Sequence, residues 1–264
     1  MNQPDIVVIG AGPNGLFAAC RLARAGLRVL VLEAHRLRPG GALAHEETTL
    51  PGFKHDVGAG FIAFRDSPAF QALDLERRGL EWRFGEFESC HPAPDGSYAA
   101  ISRDPERTAD HFGSPADGDA WRRLSALHGR VEPHLLEYMK PFPRIIPGLR
   151  MLPFDAFKVL RIFTSTPGGF AHRTFASEAA RRVFPGMTMH VDVGPDDRFG
   201  CGIGYMLCMR ASTVGFAFPV GGAGAITAAL VAELQALGGE LRLGSKVEKI
   251  EVREGKAAAV VLED

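Results

Sequence analysis

Gly10, Gly12 and Gly15 stand in a G-x-G-x-x-G pattern, and Glu33 follows 18 residues after the last of them. Those residue types at that spacing suit the binding of a dinucleotide. The first glycine permits a tight turn, the second lets the backbone approach a pyrophosphate, and the third lets a helix pack closely on a strand. The N-terminus of the helix that follows presents free N–H groups and a partial positive charge to the phosphates. A carboxylate at Glu33, with Ala34 beside it, is placed to accept hydrogen bonds from ribose hydroxyls. It also repels a 2′-phosphate, which argues against NADP.

For this chemistry the glycines must lie between a strand and a helix, and residues 5–33 read as such a βαβ unit. Ile6-Val7-Val8-Ile9 is a short, fully apolar run, as a buried parallel strand requires. Leu16 to Ala25 reads as an Ala-rich helix ended by Gly26, and Leu27 to Leu32 as a second strand closing on Glu33. The plain alternative is a structural βα turn without a ligand, and the motif alone does not separate FAD from NAD. After this unit, residues 36–60 are rich in Gly and Pro and read as loop with short strands. Residues 66–214 change character, with helical patterns, scattered prolines and many Phe. Trp121, Leu124, Leu127, Val131 and Leu135 recur there at helical spacing. From Phe216 the βα style returns: Pro219-Val220-Gly221-Gly222, a helix over 225–237, and strands at Glu240–Leu243, Val247–Val252 and Ala257–Leu262.

Composition narrows the function classes. The chain has 264 residues, 46% hydrophobic and 23% charged, which is ordinary globular usage, and a net charge of -1 gives no reason to expect nucleic acid as a partner. Cys20, Cys90, Cys201 and Cys208 are scattered without a C-x-x-C pair, so neither a disulfide framework nor a zinc site is expected, and a reducing, cytoplasmic setting is. The opening Met-Asn-Gln-Pro-Asp has no basic region, so no signal peptide is expected. No apolar run reaches the roughly 18 residues of a spanning helix.

Gly40-Gly41 and the stretch Pro51-Gly52-Phe53-Lys54-His55-Asp56-Val57-Gly58 resemble the phytoene desaturase-like branch of the FAD-dependent amine oxidoreductase superfamily. The resemblance continues at Arg103 to Thr108, at Pro219 to Gly222, and at Gly238-Gly239, Val247 and Ile250. It implies an α/β fold: a Rossmann-like FAD-binding domain (1–65 and 216–264) with an inserted α+β substrate domain (66–215). It implies FAD held by Gly10, Gly12, Pro13, Asn14, Gly15, Glu33 and Ala34 at the ADP end, Gly40-Gly41 near the pyrophosphate and ribityl chain, and the main chain of Val247 at the adenine. Pro219 to Gly222 would approach the isoalloxazine or the substrate cavity. There are departures. The step from Glu33 to Gly40 is one residue longer than in those relatives, and Ala42 stands where many amine oxidases carry arginine. Both point toward the desaturase-like branch. Relatives also continue for about as many residues again beyond Asp264. The expectation is therefore a chain lacking the C-terminal half of the family fold, poorly active alone, with a completing chain or a homo-oligomer as candidate partners. Ile203, Met206, Leu207, Phe216 and Phe218 are then expected to line an open face.

Other candidates read more blandly. None of nine histidines has ligand spacing, so no metal is expected, and His55 is best placed for a supporting role. Tyr205 and Arg210 are candidate cavity residues, with core packing and surface solvation as the default readings, and Cys20 reads as a small core residue. Desaturation by flavin moves a hydride to N5 of the cofactor itself, so a catalytic side chain is not required. The stretch 140–163 mixes apolar and basic residues. It reads as a helical cap on the cavity or as a peripheral contact with an anionic membrane. Three functions follow: FAD-dependent oxidation or desaturation of a largely apolar small molecule, a non-catalytic binding protein of the same fold like the Rab-escort and dissociation-inhibitor proteins, or an NAD-dependent oxidoreductase.

Overall fold

The structure is a computed structural model that describes residues 3–138, 145–150 and 154–263. These form two compact units, one of residues 1–83 with 217–264 and one of residues 84–216.

The first unit begins with β1 (Ile6–Ile9), α1 (Pro13–Arg24) and β2 (Val29–Leu32). The two-residue strands β3 (His45–Glu46) and β4 (His55–Asp56) follow, then α2 (Pro68–Leu73) and β5 (Trp82–Arg83). The chain returns to this unit as β8 (Phe218–Pro219), α10 (Gly224–Ala236), β9 (Glu240–Arg242), β10 (Val247–Arg253) and β11 (Lys256–Leu262). β1, β2 and β9 form a parallel sheet in that order, with Ile6 opposite Val29 and Leu30 opposite Glu240. The last segment of the chain is thus hydrogen-bonded beside the first. β10 and β11 form an antiparallel hairpin.

Burial explains the pairing. Leu16, Ala19 and Cys20 on α1, Val29 and Val31 on β2, and Ile226, Leu230 and Leu234 on α10 make one core. β1 differs from its expected full burial. Ile6, Val7 and Val8 are half-buried and Ile9 is 49% exposed. The apolar run is genuine, but β1 pairs only with β2 among the described residues and so forms a sheet edge.

The expected boundary at residue 66 also moves. Leu73, Leu75 and Leu80 pack into the first unit's core with Leu16 and Leu230, and Phe17 meets Phe70 edge-on at 4.8 Å. β5 pairs with β8, Trp82 opposite Pro219. The switch from strand to helical patterning after residue 65 marks a change of element and not of unit. Periodicity reports which face of a helix is apolar, not which core receives it. Phe216, expected on an open face, is buried, its N–H donating to Glu88 Oε2 at 2.6 Å.

An ion-pair hub closes this unit. Glu233 on α10 is 2% exposed and sits between Arg24 (2.6 Å) and Arg78 (2.7 Å). Burial pushes its carboxyl upward, but hydrogen bonds from the two guanidinium groups outweigh that and hold it below the usual carboxylate range. A carboxyl lowered in the folded state stabilises the protein above its unfolded pKa, and this contribution is lost as pH falls. Glu233→Ala is expected to cost about 1–2 kcal/mol near neutral pH, moderated because the arginines reach solvent. Urea midpoints of parent and variant should converge below a pH of about 4. A difference that persists unchanged into acid would refute the role given to this carboxylate.

The second unit contains β6 (Ser89–Pro92), β7 (Tyr98–Ile101), α3 (Pro105–Asp110), α4 (Pro115–Tyr138), α5 (Ile145–Arg150), α6 (Phe154–Phe163), α7 (Pro167–Thr174), α8 (Glu178–Met189) and α9 (Cys201–Ala211). The stripe Trp121, Leu124, Leu127, Val131 and Leu135 lies on α4 and is buried throughout. Asp117 fixes the start of α4, accepting hydrogen bonds from the N–H groups of Ala176 and Ser177 and from Ser114 Oγ. Tyr205 is fully buried, and burial pushes its phenol well above the ordinary value. Arg210, a candidate cavity residue whose default reading was surface solvation, is buried and reaches Glu132 at 3.4 Å. Of the stretch 140–163, Lys140, Phe142, Arg144 and Leu152 lie outside the described residues. Among the described residues no helix is long and apolar enough to cross a membrane.

Candidate nucleotide-binding site

The glycine loop joins β1 to α1. Gly10 has φ +94°, a value that favours glycine, and its N–H donates to Leu32 O at 2.7 Å. Gly12 is the N-cap of α1 with extended backbone, and Pro13 takes the first helical position, where its missing N–H costs nothing. No side chain caps this end, and the first turn carries no acidic residue. The N–H groups of the first turn therefore keep their capacity for an anion.

The three glycines stand in different surroundings. A Cβ on Gly15 would stand 2.1 Å from Gly10 O, so the helix start touches the strand end there. A Cβ on Gly12 would meet nothing within 4 Å, which leaves open space over the backbone at the position expected to face a pyrophosphate. Gly41 lies against this space, because a Cβ on it would be 3.2 Å from Gly12 Cα. Gly40 has φ +120° and donates its N–H to Ala11 O at 2.8 Å.

Glu33 follows β2 and ties the site together. Its Oε2 accepts the Ala11 N–H at 2.7 Å and its Oε1 accepts the His35 N–H at 2.8 Å. Each carboxylate oxygen keeps a second lone pair for a hydroxyl donor. The backbone of Glu33 is laced to the end of β9 and the segment after it: its N–H donates to Arg242 O at 2.9 Å, and its carbonyl accepts from Ser245 N–H at 2.8 Å. The structure thus brings Gly10, Gly12, Gly15, Glu33, Gly40 and Gly41 to one place, while Asn14 and Ala34 are exposed beside it. Val247 lies two residues beyond Ser245, half-buried in β10 and paired with Leu262.

Some contributors have no role in the sequence reading. Ala11 N–H, as the donor to Glu33, is invisible to a motif that specifies glycines. Asp56 Oδ1 accepts the Ala223 N–H at 2.7 Å, placing an acid at the start of α10 and holding the Gly221-Gly222 turn. Its signal was its place in the Pro51–Gly58 stretch. Thr227 donates its hydroxyl to Leu43 O at 2.9 Å and crowds Gly40, a link across 184 residues with no local signature. A cavity of about 430 Å³ adjoins these groups, lined in part by Leu43, His45, Gly224, Thr227 and Val231. His55 is exposed and shares a hydrogen bond with Thr49 Oγ1 at 2.7 Å. Cys20 is buried on α1, and burial pushes its thiol up to about 11. Among the described residues no group of three His, Cys, Asp or Glu side chains is placed to hold a metal ion. The arrangement sets an uncapped helix start and open space over Gly12 beside the Glu33 carboxylate. It shows no nucleophile paired with a base.

Comparison with known proteins agrees with this geometry. The family model described as an NAD(P)-binding Rossmann-like domain matches residues 8–74. One of the limonene dehydrogenase subunits of Castellaniella defragrans is 35% identical over 174 residues, covering 63% of this chain and 31% of its own. Phytoene desaturase of Fusarium fujikuroi is 28% identical over 285 residues, covering 99% of this chain and 47% of its own. Among solved structures, a putrescine oxidase with redesigned cofactor binding superposes with a TM-score of 0.60 at 19% identity, covering 99% of this chain and 55% of that one. The chain spans about half the length of the phytoene desaturase and oxidase chains it matches. Its residues 8–74 match an NAD(P)-binding Rossmann-like domain, it is similar along nearly its whole length to phytoene desaturases, and its mixed α/β fold matches about half of the amine oxidase structures.

Proposed function

We propose that this chain binds FAD and forms part of an oxidoreductase that oxidises or desaturates a largely apolar small molecule. The observation that carries the reading is the open backbone cradle at Gly12, bounded by Gly41, with an uncapped helix start on one side and the Glu33 carboxylate on the other. Gly10, Gly12, Gly15 and the first turn of α1 hold the pyrophosphate, Glu33 holds the adenosine ribose, and Gly40-Gly41 approach the pyrophosphate and ribityl chain. The main chain around Ser245 and Val247 takes the adenine side. Bound flavin supplies the hydride acceptor; the protein's own residues bind, orient and exclude water. The apolar substrate class is supported by two relatives, which are named for dehydrogenation of limonene and desaturation of phytoene.

The test is an absorbance spectrum of the purified protein after incubation with FAD and removal of the excess. Retained visible absorbance characteristic of flavin is the expected result. No retained flavin, together with saturable binding of NAD, would replace this reading with that of an NAD-dependent enzyme.

A further inference from the structure

A cavity of about 600 Å³ in the second unit is walled by α4, α6 and α7. Its floor is apolar, made by the buried Leu124, Leu127, Ile162 and Phe170. Its rim is cationic: Arg123 and Arg130 from α4, Lys158 and Arg161 from α6, and Arg173 from α7. No carboxylate lines it among the described residues. Among the described residues Asp155 is the one acid paired with the rim, meeting Arg130 at 3.0 and 3.1 Å and Lys158 at 3.5 Å. Arg173 donates to the neutral Ser165 Oγ at 2.7 Å. The guanidinium groups of Arg123 and Arg161 are exposed and have no hydrogen bond or ion pair among the described residues.

Five cations against one carboxylate, in a chain whose net charge is -1, is a strong local excess. Like charges gathered around a low-dielectric floor repel one another, and the field they make in the cavity concentrates anions. Guanidinium groups match phosphate and carboxylate geometry, donating two parallel hydrogen bonds. The volume lies within the range of small-molecule sites. An inorganic anion would satisfy the rim and leave the floor unused. A neutral hydrocarbon would do the reverse. Outside the cavity, α6 also exposes Phe157 (70%) and Leu160 (58%), next in sequence to Lys158 and Arg161 respectively.

We infer that this cavity binds an anionic amphiphile: a phosphate or carboxylate head on an apolar chain. The head is held by Arg123, Arg161 and Arg173, and the chain lies on Leu124, Leu127, Ile162 and Phe170. None of these residues belongs to the nucleotide site, so flavin retention is a separate readout.

The experiment is calorimetric titration of the full chain with dodecyl phosphate below its micelle concentration, against dodecyl maltoside and inorganic phosphate. Dodecyl phosphate is expected to bind saturably and more tightly than either control. Arg123→Glu combined with Arg161→Glu is expected to weaken it by at least about tenfold while flavin retention stays unchanged. These are exposed side chains, and Arg123→Gln with Arg161→Gln serves as a milder second variant expected to show the same direction. Equal affinity for the maltoside, equal affinity for inorganic phosphate, or no change in the variants would each overturn the inference. Sedimentation with phosphatidylglycerol but not phosphatidylcholine vesicles, lost in the variants, would support it with a bilayer lipid as the source. Binding of the monomeric amphiphile without vesicle binding would support it with a free ligand as the source.

Discussion

Gly15→Ala is expected to destabilise the first unit by at least about 2 kcal/mol, the cost of forcing an atom into packed surroundings. The added Cβ would stand 2.1 Å from Gly10 O and 3.2 Å from Gly10 C, and both are backbone atoms that no side-chain rotation can clear. Relief requires α1 to move off β1, which breaks the contact of Leu16, Ala19 and Cys20 with Val29 and Val31. Thermal melting should show a fall of several degrees, about 2–4 °C per kcal/mol for a chain of this size. Gly12→Val supplies the contrast. Its backbone is extended (φ -73°) and its Cβ would meet nothing within 4 Å, so the fold should persist. The side chain instead fills the cradle, and FAD binding should weaken by more than about tenfold. If Gly12→Val melts as Gly15→Ala does, the cradle is a packing feature and not a ligand site.

Glu33→Ala is expected to weaken FAD binding by about 1–3 kcal/mol, the usual loss for removing a charged hydrogen-bond partner. In the structure the carboxylate already accepts from Ala11 and His35, so the substitution also frees two backbone donors beside the site. Glu33→Gln separates these effects. It keeps one acceptor oxygen but replaces the other by an NH₂ group that cannot accept, so its affinity should fall between the two. Dissociation constants from flavin fluorescence provide the measurement. Unchanged affinity in both variants would remove Glu33 from the ribose site and leave it the local task of holding the glycine loop.

Much of this site was legible from local sequence, because its chemistry depends on local backbone constraints. Gly10 must turn, Gly12 must be bare and Gly15 must be thin, and each requirement excludes side chains at a fixed distance from a strand. Helix α10 and strands β9 to β11 were readable for a similar reason: apolar spacing and paired glycines mark where elements start and stop. The core stripe of α4 announced itself by its period. Other features depend on segments far apart in the chain meeting in space. The hold of Asp56 on Ala223 and the reach of Thr227 to Leu43 have no trace in any short window, and the place of β9 beside the first strands was expected only from the family resemblance. The assignment of α2 and Leu80 to the first unit depended on which core had room for them. The cationic cavity shows the same limit. Lys158 and Arg161 were visible as a basic face of one helix, but Arg123 and Arg173 join them only because three helices pack together. Local sequence determines what a segment's own backbone and faces can do, and tertiary packing decides which distant faces share one volume and therefore one electrostatic field.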